Sequence, residues 1–401
     1  MQTSVCSYRA GPVTPVLFGP LPDDTEPASL TKDGMTTDTP ASRAAMHTIH
    51  AEPLRAAVHE LMIGFGSAPR EIELVADNLI EANLTGHDSH GIGMLPRYAN
   101  AFLEGGLVAN AHVTTRLDSG TLLAFDGNAG FGQVVGHESM ALGIERAKAH
   151  GSCIVALANA HHLCRIGAWA EMATAAGLVS IHFVNVISRP IVAPWGGRDA
   201  RFGTNPFAVG IPVAGRAPVI LDLATSVVAQ GKTRVAHNKG ERLPPGQLLD
   251  DHGEPTTDPK FGVVEPIGAL RTFGEHKGFG LALVCELLGG ALAGGLTAHG
   301  PVDNRQRVLN GMLTVLFDPA RLADAAICSA EMTAFLDWVV TSKPQAGTDR
   351  VRVAGEPERE SRAARQAYGI PVDATTWSEL LEAATRLGRD AAVVNRLAGL
   401  A

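Results

Sequence analysis

Two short histidine-bearing segments are places where proton transfer could occur. Ser89-His90-Gly91 follows a predicted helix, and His161-His162 follows a predicted strand. Imidazole titrates near neutrality, which suits proton exchange with a carbonyl oxygen, and a neighbouring hydroxyl can orient the ring. A single histidine more often has a structural role, but two histidine-bearing loops beside glycines support a catalytic role as well as a structural one.

Three other functions use the same residues. Metal ligands could come from His87 with His90, or from His161, His162 and Cys164, but neither spacing matches HExxH or paired CxxC sites, so we predict no metal. A serine hydrolase could use Ser89, yet there is no GxSxG elbow. We also expect that adjacent serine and histidine residues rarely place the hydroxyl on the imidazole nitrogen. A catalytically silent protein that binds small acids is the third alternative.

The glycine-rich segments do not match nucleotide-binding motifs. Gly130, Gly132 and Gly136 are spaced as GxGxxxG rather than GxGxxG, and we interpret them as turn glycines instead of a Rossmann fingerprint. Gln230-Gly231-Lys232-Thr233 resembles the end of a P-loop, but Ser226 occupies the position of its first glycine. The serine at this position argues against a phosphate-binding P-loop, so we predict that the protein is not an ATPase.

Two further segments could bind an anion or a ribose. Lys277-Gly278 introduces an apolar helix predicted over Leu281–Ala293, and a helix N-terminus with a lysine attracts phosphate or carboxylate groups. Asp222 ends the predicted strand Val219–Leu223 and could accept hydrogen bonds from ribose hydroxyls. Lys277-Gly278 could instead be an ordinary helix start, and Asp222 could instead be a helix N-cap.

The elements around these residues predict an α/β protein. A chain of 401 residues favours two domains, and 45% apolar with 18% charged residues is typical of a folded protein. Strands and helices alternate from about residue 120, with a helix predicted at Glu138–His150 and a strand at Cys153–Ala158. A capping box at Thr376 predicts the start of a C-terminal helix.

The first 45 residues differ in composition from the remainder. They are rich in Pro, Thr, Ser and Asp and lack periodicity, so we predict a disordered leader and suspect that Met46 is the true start. Beyond it we expect a mainly helical domain formed by residues 46–118 and 330–401, and an α/β cofactor-binding domain at residues 119–329.

Charge and cysteine content narrow the function class. A net charge of −8 without a basic stripe argues against nucleic-acid binding. Gly278–Gly295 contains Glu286 and several glycines, so it predicts a buried core helix and not a membrane span. Five unclustered cysteines and the lack of a secretory signal predict a cytoplasmic protein without disulfides.

From about Met46 onward, the chain resembles the malate/L-lactate dehydrogenase family of the non-Rossmann type. The strongest resemblance is to its hydroxycarboxylate dehydrogenase B branch. The motifs that carry it are GHDSHGIGMLPRY (86–98), NAHHLCRIGAWAEMA (159–173), PWGGRDARFGTNPF (194–207), LDLATSVVAQGKTRVAHNKG (221–240), TTDP (256–259) and EHKGFGLAL (275–283). The resemblance implies a two-domain, non-Rossmann α/β fold with helical N- and C-terminal segments, and a homodimer with its site near the subunit boundary.

The same resemblance implies roles for individual residues. His90, beside Ser89, is expected to protonate the substrate carbonyl, while His162 assists in substrate binding. The ureidoglycolate branch gives the proton-acceptor role to the residue that matches His162, so the two histidines compete for this role. Contacts to the expected cofactor, NAD or NADP, map onto Val186, Ile187, Ser188, Asp222, Leu223, Ala224, Lys232, Lys277 and Gly278.

One departure from the family affects substrate binding. Many members carry an arginine where this chain has Met94, so the substrate carboxylate must be held by other residues. Arg97 and Arg165 are the candidates, with solvated surface charge as the alternative for both. The expected reaction is reversible, NAD(P)H-dependent reduction of a 2-oxo acid to a 2-hydroxy acid, and Met94 leaves room for bulky or aromatic acids. The alternative substrates are a cyclic imine acid, ureidoglycolate or malate.

Overall fold

The computed structural model describes residues 46–300 and 307–400, so the leader predicted at residues 1–45 lies outside the described residues. The strands are β1 (Met46–Ile49), β2 (Thr114–Ser119), β3 (Leu122–Asp126), β4 (Ser152–His161), β5 (Val179–Ile187), β6 (Phe207–Ile211), β7 (Val219–Leu223), β8 (Leu248–Leu249), β9 (Pro255–Thr256), β10 (Ala269–Leu270), β11 (Leu309–Phe317) and β12 (Ile370–Asp373). The α-helices are α1 (Ala51–Ile63), α2 (Pro69–Leu84), α3 (Leu95–Leu103), α4 (Gly132–His150), α5 (Gly167–Ala175), α6 (Gln230–Lys239), α7 (His276–Cys285), α8 (Ala325–Val340), α9 (Glu356–Tyr368), α10 (Ala374–Arg386) and α11 (Ala391–Leu397). Short 3₁₀ turns and one π-helical segment complete the described elements: Asp88–His90, Ile92–Met94, Pro259–Gly262, Glu286–Leu292 and Pro319–Arg321.

A seven-stranded sheet forms the centre of the α/β part, in the order β2-β3-β4-β11-β5-β6-β7. Strands β3 and β4 run parallel, whereas the other neighbouring strands of this sheet pair antiparallel. A Rossmann domain requires a mostly parallel sheet. The predicted α/β, non-Rossmann fold is therefore confirmed.

The helical N- and C-terminal segments share one apolar core. Strand β1 pairs antiparallel with β12, so the first and last strands of the described residues meet directly. Helices α1, α2 and α3 bury residues such as Leu54, Leu79 and Tyr98 against Trp377 and Leu380 of α10. The boundaries that we expect for the helical and α/β domains stay a prediction.

Helix α4 and strand β4 begin or end at residues other than those predicted. The helix predicted at Glu138–His150 starts at Gly132, and the strand predicted at Cys153–Ala158 continues to His161, which pairs with Leu309 of β11. A glycine in the first turn obscured the helix start, and pairing with a strand distant in sequence extended β4. His161 is consequently a strand residue, while His162 follows the strand.

The apolar helix near the cofactor segment is only partly buried, contrary to the prediction for Leu281–Ala293. It consists of α7 followed by the π-helical segment, which packs against β4, β5 and β11 on one side. On the other side Leu287 and Leu292 are 52% and 66% exposed. Within residues 46–300 and 307–400, no helix has both the length and the apolarity to cross a bilayer.

The C-terminal helix predicted from a capping box at Thr376 has a different cap. Asp373 is the N-cap of α10, and its carboxylate accepts hydrogen bonds from the backbone N–H and the hydroxyl of Thr376. Aspartate caps a helix as well as threonine does. The helix is confirmed, and the assignment of its cap to Thr376 is wrong.

Candidate active site

The histidine loop after α2 is held in place by Asn83. Its amide Nδ2 donates to Asp88 (2.7 Å), and its Oδ1 accepts from the backbone N–H of Ile92 (2.9 Å). A Cβ on Gly91 would lie 2.1 Å from Asn83 Oδ1, so only glycine fits at this position. The amide therefore clamps both ends of the 3₁₀ turn that carries Ser89 and His90.

Helix α9 supports the same loop from a distant part of the sequence. The guanidinium of Arg365 donates to both carboxylate oxygens of Asp88, at 2.6 and 3.0 Å. His87 Nε2 lies 3.3 Å from Glu358 Oε1. A bidentate arginine–carboxylate pair restricts orientation as well as position. Sequence patterns did not reveal α9 as part of the site, because these partners are separated by about 270 residues.

Ser89 contacts the imidazole of His90 directly. Its Oγ lies 3.0 Å from His90 Nδ1. The expectation that adjacent residues rarely make this contact is wrong here, because the tight 3₁₀ turn at Asp88–His90 brings the two side chains together. His90 is half-buried, and its Nε2 has no hydrogen-bond partner among the described residues.

His162 lies beside His90. The two imidazole rings are nearly parallel, with an interplanar angle of 15° and centroids 5.7 Å apart. His162 is half-buried, and its Nδ1 lies 2.9 Å from the hydroxyl of Tyr98 on α3. The structure thus brings together the two histidine loops that the sequence identified separately.

A buried polar cluster lies behind His162. Gln133 Nε2 donates to Tyr98 Oη (3.1 Å) and to Cys164 Sγ (2.8 Å), and Tyr98 Oη lies 3.2 Å from Cys164 Sγ. Tyr98, Gln133 and Cys164 are all buried. Sequence reasoning missed this cluster, and its only sequence signal was the position of Tyr98 and Cys164 within the two histidine motifs.

Burial keeps both histidines of the pair neutral in the free protein. Desolvation, aided by the nearby His87 and Arg165, lowers the pKa of His90 to about 4. Desolvation, with smaller contributions from His90, His161 and Arg97, lowers the pKa of His162 well below its usual range. Neutral imidazoles can accept a proton and donate a hydrogen bond at physiological pH.

His161 belongs to the interior and not to the candidate site. It is fully buried, its ring lies edge-on to Tyr98 at 5.3 Å, and neither ring nitrogen has a hydrogen-bond partner within the described residues. Desolvation lowers the pKa of His161 to about 3. Among residues 46–300 and 307–400, no group of three or more His, Cys, Asp or Glu side chains is arranged to hold a metal.

The two candidate arginines have opposite environments. Arg165 is 2% exposed and donates to Glu171 at 2.5 Å, so the surface-charge alternative is wrong for it. Arg97 is exposed, and its charge contributes to lowering the pKa of His161 and of His162. The Arg97 side chain forms no hydrogen bond or ion pair within the described residues. Met94 is half-buried and packs against the helical core.

The glycines predicted as turn residues have a packing role instead. Gly132 and Gly136 lie inside α4. A Cβ on Gly132 would be 2.2 Å from the carbonyl oxygen of His162, and one on Gly136 would be 2.7 Å from the Trp169 ring. These two glycines let α4 approach the second histidine loop closely, and the turn interpretation is wrong for both.

The predicted cofactor residues meet through a few backbone contacts. A Cβ on Gly203 would touch Val186 at 2.5 Å, and the next residue, Thr204, accepts from the backbone N–H of Thr225 (2.9 Å). Thr225 in turn accepts from Phe273 N at 3.1 Å, just before α7. The structure therefore places the end of β5, the end of β7 and the start of α7 side by side, which brings together the following predicted residues: Val186, Ile187, Ser188, Asp222, Leu223, Ala224, Lys277 and Gly278.

The start of α6 adjoins the histidine loop. A Cβ on Gly231 would lie 3.5 Å from the Cβ of Ser89. Lys232, next to it, is exposed, as is Lys277 in the first turn of α7, and the ammonium group of neither lysine forms a hydrogen bond or ion pair with the described residues. Neither helix has a side-chain N-cap, but at the start of α7 the backbone N–H groups of Lys277, Gly278 and Phe279 donate to backbone carbonyls of the preceding turn. The positive end of a helix dipole and an exposed lysine therefore occur together at the start of each helix.

Asp222 caps a helix, but not the one that follows it in sequence. Its Oδ2 accepts from the backbone N–H of Gly167, the first residue of α5, at 2.7 Å. Desolvation raises the pKa of Asp222, while the Gly167 N–H and the Arg165 charge act in the opposite direction. One carboxylate oxygen is therefore engaged in structure.

Comparison with known proteins assigns the family. Residues 49–381 match the malate/L-lactate dehydrogenase family. The chain is 48% identical to hydroxycarboxylate dehydrogenase B of Escherichia coli strain K12 over 344 residues, which cover 85% of this chain and 95% of that protein. It is 42% identical to L-lactate dehydrogenase of Cupriavidus necator over 308 residues, which cover 76% and 88%.

A solved structure of a candidate malate/lactate dehydrogenase from Escherichia coli has the same fold. The TM-score is 0.84 at 46% identity, with 88% of this chain and 98% of that chain covered. Sequence motifs, sheet topology and site geometry lead to one conclusion: the chain belongs to the malate/L-lactate dehydrogenase family and is an oxidoreductase of hydroxy and oxo acids.

Proposed function

We propose that the protein catalyses reversible, NAD(P)-dependent interconversion of a 2-oxo acid and a 2-hydroxy acid. The observation that carries this proposal is the pair of neutral, half-buried imidazoles of His90 and His162 beside the unpaired cation of Arg97. A proton-transfer group and an anion-binding group are the two requirements of such a substrate.

His90 is the proposed proton-transfer residue, with Ser89 holding its ring. A pKa of about 4 means that His90 is neutral at pH 7 in the free enzyme, so it is ready to take the proton of a hydroxy acid. For reduction it must first be protonated, and a substrate carboxylate bound nearby raises its pKa because opposite charges favour the charged form. His162 assists by binding the substrate oxygen.

Arg97 is the better of the two candidates for holding the carboxylate. Its guanidinium is exposed and unpaired within the described residues, whereas Arg165 is buried and engaged with Glu171. Carboxylate binding by a free arginine fixes the substrate through two parallel hydrogen bonds. Holding the acid this way turns its reacting carbon toward a single face of the site, and proximity then supplies much of the rate.

The cofactor residues fit a nicotinamide dinucleotide. The positive N-terminal ends of α6 and α7, with the exposed side chains of Lys232 and Lys277, suit a pyrophosphate. Val186–Ser188 and Asp222–Ala224 would line its remaining length. The bound nicotinamide supplies or accepts the hydride at C2 of the acid. NAD and NADP both stay candidates.

We further propose a preference for bulky or aromatic 2-oxo acids. Met94 is apolar, half-buried and flexible, and it occupies the position at which many family members carry an arginine. The similar proteins named above act, by their names, on hydroxycarboxylates and L-lactate. A cyclic imine acid, ureidoglycolate or malate remains the alternative substrate.

We also propose a homodimer located in the cytoplasm. Helix α8 is rich in apolar residues, and none of its residues is buried in the described chain, which favours a partner surface. The cysteines of the described chain are free, in agreement with a reducing compartment. A second copy of this chain is the partner that the family resemblance implies.

The first test measures oxidation of NADH and of NADPH with pyruvate, phenylpyruvate, oxaloacetate, glyoxylate and piperideine-2-carboxylate. Turnover with a 2-oxo acid supports the reaction, and a higher kcat/KM for phenylpyruvate than for pyruvate supports the role of Met94. His90→Ala should lower kcat by about 10²–10⁴-fold while cofactor binding changes little, because only proton transfer is removed. Wild-type turnover by this variant would contradict the role of His90, and no oxidation with any acid would contradict the proposed reaction.

A further inference from the structure

The hydrogen-bond partners of the two active-site imidazoles differ in kind. Ser89 can rotate its hydroxyl to donate to or accept from His90 Nδ1, so this contact leaves the ring free to change its protonation state. The contact between Tyr98 Oη and His162 Nδ1 is partly buried, and two further residues, Gln133 and Cys164, restrict it.

The donors and acceptors of this cluster can be counted. Gln133 uses its two amide hydrogens on Tyr98 Oη and Cys164 Sγ, so both of these atoms accept from it. The hydroxyl hydrogen of Tyr98 is then directed to His162 Nδ1, which is its shortest contact at 2.9 Å. The thiol hydrogen of Cys164 has Tyr98 Oη as its acceptor at 3.2 Å. Every hydrogen of the cluster has an acceptor in this arrangement.

The opposite tautomer leaves one hydrogen without an acceptor. With a hydrogen on Nδ1, His162 would donate to Tyr98, and Tyr98 would donate to Cys164. The thiol hydrogen of Cys164 would then face Nδ1 at 3.8 Å, which could no longer accept it. An unsatisfied buried donor costs free energy, so this arrangement is disfavoured.

We infer that Tyr98 is a positioning residue that holds His162 as a neutral imidazole with its hydrogen on Nε2, so that His162 donates a hydrogen bond to the substrate oxygen. His162 Nε2 is the ring nitrogen without a hydrogen-bond partner among the described residues, and the side chain is half-buried at the candidate site. The division of labour follows: His90 exchanges the proton, while His162 remains a fixed donor. This inference rests on the proposed function for its catalytic consequence.

The tautomer can be measured without turnover. In protein labelled with ¹⁵N-histidine, the spectrum of resting enzyme should show His162 with an unprotonated, hydrogen-bonded Nδ1 and a protonated Nε2. Comparison with His162→Gln assigns the signal. A hydrogen on Nδ1 of the wild-type protein would overturn the inference, whatever substrate the enzyme uses.

The catalytic consequence is tested with Tyr98→Phe, which removes the hydroxyl and retains the ring. We expect kcat with the best 2-oxo acid to fall about tenfold, the loss of one hydrogen bond, while KM for the nicotinamide cofactor stays within about twofold. The ¹⁵N signal of Nδ1 should lose its hydrogen-bonded position. Unchanged kcat in a folded Tyr98→Phe protein would overturn the positioning role.

Two further variants complete the test. Tyr368→Phe makes the same chemical change at a residue that is 78% exposed, and it should match the wild type in kcat and in the His162 signal. Gln133→Met removes the amide that donates to Tyr98 and tests the same cluster if Tyr98→Phe folds poorly. The hydroxyl hydrogen of Tyr98 and the thiol hydrogen of Cys164 keep their acceptors in this variant, so we expect His162 to keep its hydrogen on Nε2. A hydrogen on Nδ1 in the folded variant would count against the inference.

Discussion

Arg165 is buried and Arg97 is exposed, so substitution of each should affect stability and substrate binding differently. Arg165 lies between Glu171 and the Asp222 carboxylate, and its Nε and Nη1 atoms are buried without hydrogen-bond partners. Its loss would break the buried ion pair with Glu171, which would keep only a 3.5 Å contact with Arg362, so instability would obscure any effect on substrate binding. Arg97 offers the clearer experiment, because no hydrogen bond or ion pair of the described chain depends on it.

At the residue scale we therefore predict that Arg97→Gln weakens binding of the 2-oxo acid. A charge-assisted hydrogen bond is worth about 1.5–3 kcal/mol, so KM for the acid should rise about tenfold to a hundredfold, whereas KM for the cofactor should not. Steady-state kinetics measures KM for the acid and for the cofactor, and urea unfolding checks that the variant is as stable as the wild type. Arg70→Gln, at an exposed arginine paired with Glu73 on α2, is the matched control. An unchanged KM for the acid in Arg97→Gln would exclude Arg97 as the carboxylate ligand.

At the element scale, the approach of α4 to the second histidine loop determines where His162 lies. A Cβ on Gly132 would clash with the carbonyl oxygens of His161 and His162, at 2.5 and 2.2 Å. Along the same helix, Gly143 faces Val155 of β4, where a Cβ would lie 2.4 Å from its side chain. Helix α4 thus packs directly on β4, the strand that ends at His161 and leads into the loop with His162.

We predict that Gly132→Ala destabilises the protein and lowers activity together. Overpacking of this kind costs about 1–3 kcal/mol in unfolding free energy, and the backbone of His162 must shift to relieve the clash. Urea unfolding and kcat measure the two effects. Gly280→Ala in α7 is the control for stability, because nothing lies within 4 Å of its added Cβ and alanine favours a helix by up to about 1 kcal/mol. If Gly132→Ala unfolds at the wild-type urea concentration, the close packing of α4 is not required.

At the scale of the whole molecule, an uncovered apolar surface accompanies the proposed dimer. Helix α8 exposes large apolar side chains, with Ile327 71% and Trp338 70% accessible. Leu287 and Leu292, in the π-helical segment, are also more than half exposed. Water contact with that much apolar surface is unfavourable, and burial against a second copy would remove it.

We predict that charges on α8 prevent self-association. The double variant Ile327→Glu with Trp338→Glu should sediment as a monomer at concentrations at which the wild type sediments as a dimer, because two carboxylates would be buried unpaired. Leu142→Glu, at an exposed leucine on α4, is the control and should remain dimeric. A dimeric double variant would show that α8 is not the interface, and a monomeric wild type would contradict the homodimer itself.

Local patterns in the sequence were sufficient for the fold class and for the two histidine loops. Helix α2 and strand β7 have a regular apolar pattern or a short apolar run, so their existence was predictable. His90 and His162 were predicted as candidate site residues because each belongs to a motif of contiguous residues. The motifs also placed Ser89 and Arg97 near His90, although the environment of each side chain was not readable from them.

Tertiary structure alone decided strand pairing, burial and the partners of each functional group. Whether β11 enters between β4 and β5, and does so antiparallel, depends on contacts across more than 100 residues, and local periodicity carries no such information. The buried Arg165 and the exposed Arg97 have the same chemistry in the sequence, and only packing separates them. Likewise Tyr98, Gln133 and Cys164 acquire a shared role only because α3, α4 and the loop after β4 converge behind His162. The sequence by itself determined which residues are available for chemistry, and the fold determined which of them are neutral, paired or free to bind a substrate.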